Sequence, residues 1–247
     1  MYRHAGEDTL VASWRALAQL SPGADVTELD TTVVALFPSW AALNNAILLD
    51  APSRDAAAPA AAEVARLYEA VDVPTWALWL PTPLTDLDTP DGMSAVEGLT
   101  RDTTTLVMTR TLEPSLPSHP AVARTSIQVA TRATDEPVPI SELSEPDDVP
   151  GLAGWVLLLD GAAVAGAWSC LHGTDCGLYA VGTVPGWRRR GLAAALVRHV
   201  LADAWCRGAR TASLQSTRMG QPLYESLGFA AVGRYDEWVP TSAAATL

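Results

Sequence analysis

The sequence predicts an α/β fold of the α+β kind, and three observations predict it. Short β-branched and apolar runs recur along the chain, as at residues 31–36, 75–80 and 177–184. Between them lie stretches of helical period. The clearest places Leu192, Leu196, Val200 and Ala204 at i, i+4 spacing, with Arg198, Asp203 and Arg207 on the other side. Gly and Pro mark the boundaries: Pro185-Gly186 ends a strand and Gly208 ends that helix.

Taken in order, residues 9–20 read as an amphipathic helix closed by Ser21-Pro22-Gly23. A strand at 31–36, a turn at 37–40 and a second strand at 44–49 follow. Residues 51–60 are Ala/Pro-rich and expected to be mobile, and 61–70 to be helical. A strand at 75–80 stops at Pro81. A loop, a short helix at 93–99 and a polar β-branched strand at 103–112 lead to a linker at 114–120. The second half opens with an expected strand at 126–131. The acidic, Pro-rich 135–150 reads as a loop. Residues 154–160 and 162–171 form a hairpin around Asp160-Gly161, because Asp-Gly tolerates the positive φ angles of a tight hairpin turn. A strand at 210–215, a helix at 219–227 and a strand at 229–239 close the chain.

The chain has 247 residues and a formal charge of −12, which disfavours a nucleic-acid partner. All sixteen basic residues are arginine, and half of them lie from Arg188 to Arg234. That asymmetry suits a local anionic ligand. Three cysteines make no disulfide framework and suggest a reducing compartment. No secretory leader and no membrane span are legible, so the expected location is cytoplasmic.

The stretch from Tyr179 to Tyr224 carries the chemistry. An apolar strand ends at Pro185-Gly186, then Arg188-Arg189-Arg190-Gly191-Leu192-Ala193 opens a helix. The first turn of a helix has N–H groups without intrahelical partners and a partial positive charge. Gly191 allows close backbone approach, Ala193 keeps the turn uncrowded, and three arginines add attraction. A pyrophosphate fits such a site. The spacing is neither that of the dinucleotide fingerprint nor that of the nucleotide triphosphatase loop.

Arg188-x-x-Gly191-x-Ala193 resembles the Gln/Arg-x-x-Gly-x-Gly/Ala signature of the GNAT N-acetyltransferase superfamily. Thr183-x-Pro185-x-Trp187-Arg188 before it and Leu223-Tyr224-Glu225-x-Leu227-Gly228-Phe229 after it match as well. The resemblance covers roughly residues 125–240. It implies a mixed, mostly antiparallel twisted sheet flanked by helices, with acetyl-coenzyme A as acyl donor and no metal. It also implies direct attack by a primary amine in a ternary complex. The pyrophosphate would lie on backbone groups of residues 189–193, that is Arg189, Arg190, Gly191, Leu192 and Ala193, with Arg188 adding charge. The pantetheine arm would pair with the backbone of Val181 and Thr183. Tyr224 matches the family tyrosine near the thioester sulfur and is the expected catalytic acid. The acceptor is a small-molecule or protein amine, and the protein a monomer or homodimer. A non-catalytic acyl-coenzyme A sensor is the alternative, since it would share the same turn.

Three departures stand out. The family commonly has a carboxylate base near its fourth strand, and residues 177–184 carry none; His172, Asp175, Glu225 or a water relay remain open. Thr217 stands where the family often has Asn. The two helices usual between the first and second strands are expected to be short or absent, and the N-terminal half to supply the missing wall. The cluster from Cys170 to Cys176, with His172 and Asp175, matches no zinc spacing, and no metal site is expected. Finally, the order helix, strand, helix, strand in residues 63–112 echoes residues 192–239. This suggests a tandem pair of GNAT-like halves: 1–120 without a cofactor turn, since 51–63 lack any Arg-x-x-Gly-x-Ala, and 121–247 with one.

Overall fold

The computed structural model describes residues 4–49, 54–82, 84, 98–115 and 119–241. The chain begins with α1 (Glu7–Ala18) and runs through β1 (Asp25–Glu28), β2 (Thr32–Leu36) and β3 (Asn45–Leu48). Then α2 (Arg54–Ala70) crosses to β4 (Ala77–Thr82), and β5 (Leu99–Thr111) ends the first half. The second half opens with β6 (Val122–Thr125), α3 (Ile127–Arg132) and the short β7 (Val138–Pro139). It continues through β8 (Leu152–Leu159), β9 (Ala162–His172) and β10 (Asp175–Thr183). The crossover α4 (Leu192–Cys206), β11 (Thr211–Ser216), α5 (Gln221–Ser226) and β12 (Ala230–Pro240) complete it.

One mixed, mostly antiparallel sheet holds all these strands. Its order is β1-β2-β3-β4-β12-β5-β11-β10-β9-β8-β6, with β7 on β9. Two parallel pairs interrupt the antiparallel pattern, each joined by a crossover helix: β3 with β4 through α2, and β10 with β11 through α4. The halves interleave at the centre. β5 lies between β11 and β12, and β12 lies between β4 and β5. Each half therefore completes its hydrogen bonding with a strand of the other.

The two faces bury different helices. Leu196, Val197 and Val200 of α4 pack on Leu178, Ala212 and Leu214 of β10 and β11. The opposite face receives α1. Its Leu10, Val11, Trp14 and Leu17 share one apolar cluster with Val33 of β2, Val107 of β5, Trp168 of β9 and Tyr235 of β12. One helix can join strands that far apart only if the sheet curves around it. Each of those buried side chains contributes about 1.5–3 kcal/mol. Gly166, Trp168 and Cys170 alternate with Ala165 and Ala167, so α3, which abuts Gly166, shares the α1 face.

Local departures from the sequence reading have clear causes. Residues 127–132 are helical rather than extended, because the N-terminus is doubly capped. Ser126 Oγ accepts from the Val129 N–H at 3.4 Å, and Asp147 Oδ2 accepts from the Ile127 N–H at 2.7 Å. β-Branched Ile127, Val129 and Thr131 misled the propensity reading. Residues 135–150 are an ordered strap. Arg132 pairs with Glu136 at 3.1 Å and with Glu142, and Thr125 Oγ1 donates to the Ser144 carbonyl at 3.0 Å. The helix expected from 61 starts at Arg54 and carries Pro59 inside it, where a proline near the start forfeits only one intrahelical bond. β1 was not anticipated. The helix expected at 93–99 lies outside the described residues except for Gly98 and Leu99, which lead into β5. The Asp160-Gly161 turn is as expected, with φ of 50° and 82°. Among the described residues no helix is long and apolar enough to cross a membrane.

Candidate active site

The site begins where β10 and β11 part. They pair in parallel only from Asp175–Leu178 against Thr211–Leu214. Beyond that, β10 continues to Thr183 and β11 to Ser216 without pairing each other, so a gap opens between them. β10 is also kinked there. Its register with β9 breaks between Tyr179 and Gly182, and Ala180 adopts a φ of 47°. A left-handed alanine costs about 1–2 kcal/mol, and such strain persists where the surroundings enforce it. A bulge of this kind turns backbone groups out of the ladder and toward the gap. Ala180 is exposed, and Val181, Gly182 and Thr183 are half-buried.

At the far end of β10 the chain makes a 3-10 turn at Pro185–Trp187 and enters α4. Gly191 caps that helix at φ 77° with no side-chain cap. A Cβ built there would meet nothing within 4 Å, so the space above the first turn is open. The first helical bond is Ala195 N–H to the Gly191 carbonyl at 3.0 Å. The N–H groups of Leu192, Ala193 and Ala194 precede it and are directed at that space. All three arginines are exposed, but they differ in what they do. Arg188 Nε donates to the Thr183 carbonyl at 3.0 Å. Arg190 donates to the Gly186 carbonyl at 3.3 Å and lies 4.9 Å over the Trp187 ring. Arg189, at φ 64°, makes no hydrogen bond or ion pair among the described residues. Two arginines brace the turn and the third is available to a ligand.

Tyr224 comes to the same place from α5. It is buried in one cluster with Leu178, Leu196 and Leu214, and Val181, Leu192 and Leu223 pack against that cluster. Gly220 leaves room for its ring, and Phe229 meets it edge-on at 5.9 Å. Burial pushes the phenol up to about 12, so it holds its proton at neutral pH. Of the expected cofactor residues, Val181 and Leu192 thus pack against the cluster that holds Tyr224. Thr217 begins the loop between β11 and α5, where its Oγ1 accepts from the Gly220 N–H at 3.3 Å.

The candidate bases are placed elsewhere. His172 and Asp175 lie at the other end of β10, which at about 3.3 Å per residue is ~26 Å from Thr183. Asp175 accepts from Thr211 Oγ1 at 2.7 Å and Ser213 Oγ at 2.6 Å. Both residues border a separate cleft of about 410 Å3, with Glu7, Asp8 and Arg110 on its other walls. Glu225 is exposed and accepts from Gln221 at 2.7 Å. Cys170 and Cys176 are buried, and burial pushes the Cys170 thiol up to about 11. No metal-binding group of His, Cys, Asp and Glu occurs among the described residues. The kink at Ala180 was invisible in the sequence, because alanine carries no signal for positive φ.

Residues 150–231 match the family model described as acetyltransferase (GNAT) domain. None of the curated proteins matches the chain. Among solved structures, the chain is similar to a GCN5-related N-acetyltransferase from Kribbella flavida. Identity is 17%, 96% of this chain and 97% of that one are covered, and the TM-score is 0.65. A GCN5-related N-acetyltransferase-like protein from Streptococcus suis aligns at 18% identity over 92% of each chain, with a TM-score of 0.55. A GCN5-related N-acetyltransferase from Sphaerobacter thermophilus aligns at 15% identity, covering 91% of this chain and 84% of that one, with a TM-score of 0.53. Family and fold together indicate acyl transfer, for which GNAT domains generally take acetyl-coenzyme A as donor. Residues 150–231 are therefore similar to a GNAT acetyltransferase domain, set in a fold that GNAT structures share over most of the chain's length.

Proposed function

We propose that this protein is an N-acetyltransferase that moves an acetyl group from acetyl-coenzyme A to a primary amine by direct attack in a ternary complex. The observation that carries the reading is a coincidence of two features on one strand. β10 parts from β11 beside a strained bulge, and the same strand ends in the open, basic helix N-terminus at Gly191.

The residues present fit the donor. Backbone N–H groups of Leu192 and Ala193 and the unengaged Arg189 suit a pyrophosphate, while Arg188 and Arg190 hold the turn in shape. The backbone of Val181 and the N–H of Thr183, whose carbonyl accepts from Arg188, suit an extended amide-bearing arm. When bound, acetyl-coenzyme A supplies the activated acetyl thioester. A fixed backbone N–H at the bulge polarises a carbonyl without reorganising, which is the most effective form of transition-state stabilisation. Tyr224, kept protonated by burial, donates its proton to the leaving sulfur. No carboxylate or imidazole occurs on the unpaired segments of β10 and β11, at 179–183 and 215–216. The attacking amine therefore arrives neutral or gives its proton to water.

The first half supplies the acceptor side. α3 is the one α-helix between β6 and β8, and α1 lies against β8, β9 and β10 on the same face. We read the halves as a tandem pair of GNAT-like repeats, 1–120 and 121–247. The two parallel crossover units on either side of the interleaved strands support this. The acceptor is a small-molecule or protein amine, and the acidic chain acts in the cytoplasm without nucleic acid or membrane. A screen of amines for coenzyme A thiol release tests the reading. Amine-dependent release is expected; tight donor binding with no release from any amine would favour a sensor.

A further inference from the structure

We propose that Tyr179 is a positioning residue for acyl transfer, holding the bulge at Ala180 open from its N-terminal side. The inference rests on the reading of the gap given above. It concerns a residue that touches neither the turn nor Tyr224 in that account.

Four observations carry it. Tyr179 is the last residue of β10 in register before the bulge, paired with Trp168 of β9. Its ring stacks on that Trp168 ring, with centroids 4.3 Å apart and planes 28° apart. The ring does not extend over the bulge but folds back along the strand over Gly177. A Cβ at Gly177 would collide with the Tyr179 ring and hydroxyl, two ring carbons lying at 2.6 Å. On the outer side Ser13 of α1 faces the phenol, and no hydrogen bond of ordinary geometry joins the two hydroxyls. Ser13 Oγ donates instead to the Leu10 carbonyl at 2.7 Å. Ring packing on Trp168 and over Gly177 holds Tyr179 in place.

The other flank of the bulge is pinned as well. A side chain at Gly182 would collide with Thr134, in the turn after α3. Between these pins lies the one strained residue, Ala180, which is exposed. An alanine at φ 47° relaxes toward the ordinary strand region unless its neighbours prevent it. Trp168 beside the ring, Gly177 beneath it and α1 above it prevent this on the Tyr179 side. Through α1 the first half of the chain thereby bears on the bulge itself.

Calorimetric titration with coenzyme A and with acetyl-coenzyme A tests the proposal on the intact chain. Both ligands carry the pyrophosphate and the pantetheine arm, and only the acetylated form adds a thioester carbonyl for a backbone N–H at the bulge. Tyr179→Ala should weaken acetyl-coenzyme A about 5- to 10-fold while leaving coenzyme A within about 2-fold. Tyr179→Phe keeps the ring and should restore native values for both. Gly177→Ala displaces the ring from beneath and should repeat the Tyr179→Ala result, which keeps the test alive if the larger truncation does not fold. Unchanged binding of both ligands, or equal weakening of both, would overturn the proposal. A native protein that binds neither ligand would instead remove the cofactor reading itself, a failure distinct from that of Tyr179.

Discussion

Arg188 Nε donates to the carbonyl of Thr183 at 3.0 Å, tying the first arginine of the turn to the end of the strand before it. Arg189, next in sequence, has no such partner among the described residues. Arg189→Ala should therefore weaken acetyl-coenzyme A about 5-fold, roughly 1 kcal/mol, and reduce the salt dependence of binding. Arg188→Ala should weaken it by loosening the turn and leave the salt dependence nearer to native. Titrations at low and high salt check both. Equal salt slopes for the two variants would contradict the division of roles.

Tyr224→Phe removes one hydroxyl and keeps the ring against Phe229 and Leu214. Turnover should fall by about 10²- to 10⁴-fold, with donor affinity nearly unchanged. Steady-state kinetics under conditions where chemistry limits the rate would show it. Unchanged turnover would return Tyr224 to a packing role.

Alkaline pH should unfold the protein. Burial raises the phenols of Tyr68, Tyr179 and Tyr224, the last to about 12. The folded state holds these protons more tightly than an unfolded chain, whose phenols titrate near ~10. Their stabilisation is fully present below pH ~10 and is lost as pH rises toward 12, at up to about 1.4 kcal/mol per unit per phenol. Urea midpoints measured from pH 8 to 11 should fall steeply above 10. A flat profile would contradict the burial.

The interleaved strands make the halves interdependent. Residues 1–115 alone would leave β4 and β5 without β12 between them, and 119–247 alone would leave β11 and β12 without β5. Each fragment should be unfolded or aggregated by circular dichroism and size exclusion, and the two co-expressed should form one 1:1 complex. A monomeric, folded 119–247 fragment would contradict this.

That interleaving also shows where the sequence was legible. Leu192, Leu196 and Val200 announce their helix by period, and Gly191 announces the turn because backbone geometry restricts the residue type. Nothing comparable marks which strand β5 will pair with, since alternation reveals a strand's faces but not its neighbours. Ser126 is a legible N-cap, outweighed in the sequence by the β-branched residues after it. Ala180 gave no sign of its φ, and the role of Tyr179 emerges only once Trp168, Gly177 and Ser13 surround it.

The central claim is that the open first turn of α4 holds the donor pyrophosphate. Calorimetric titration of acetyl-coenzyme A into native protein and into Gly191→Glu tests it most directly. The account predicts saturable binding to the native chain. It predicts loss of binding by at least about 100-fold in the variant, whose side chain and like charge would occupy the space above Leu192 and Ala193, while the circular dichroism stays native. Undiminished binding to a folded Gly191→Glu protein would contradict it.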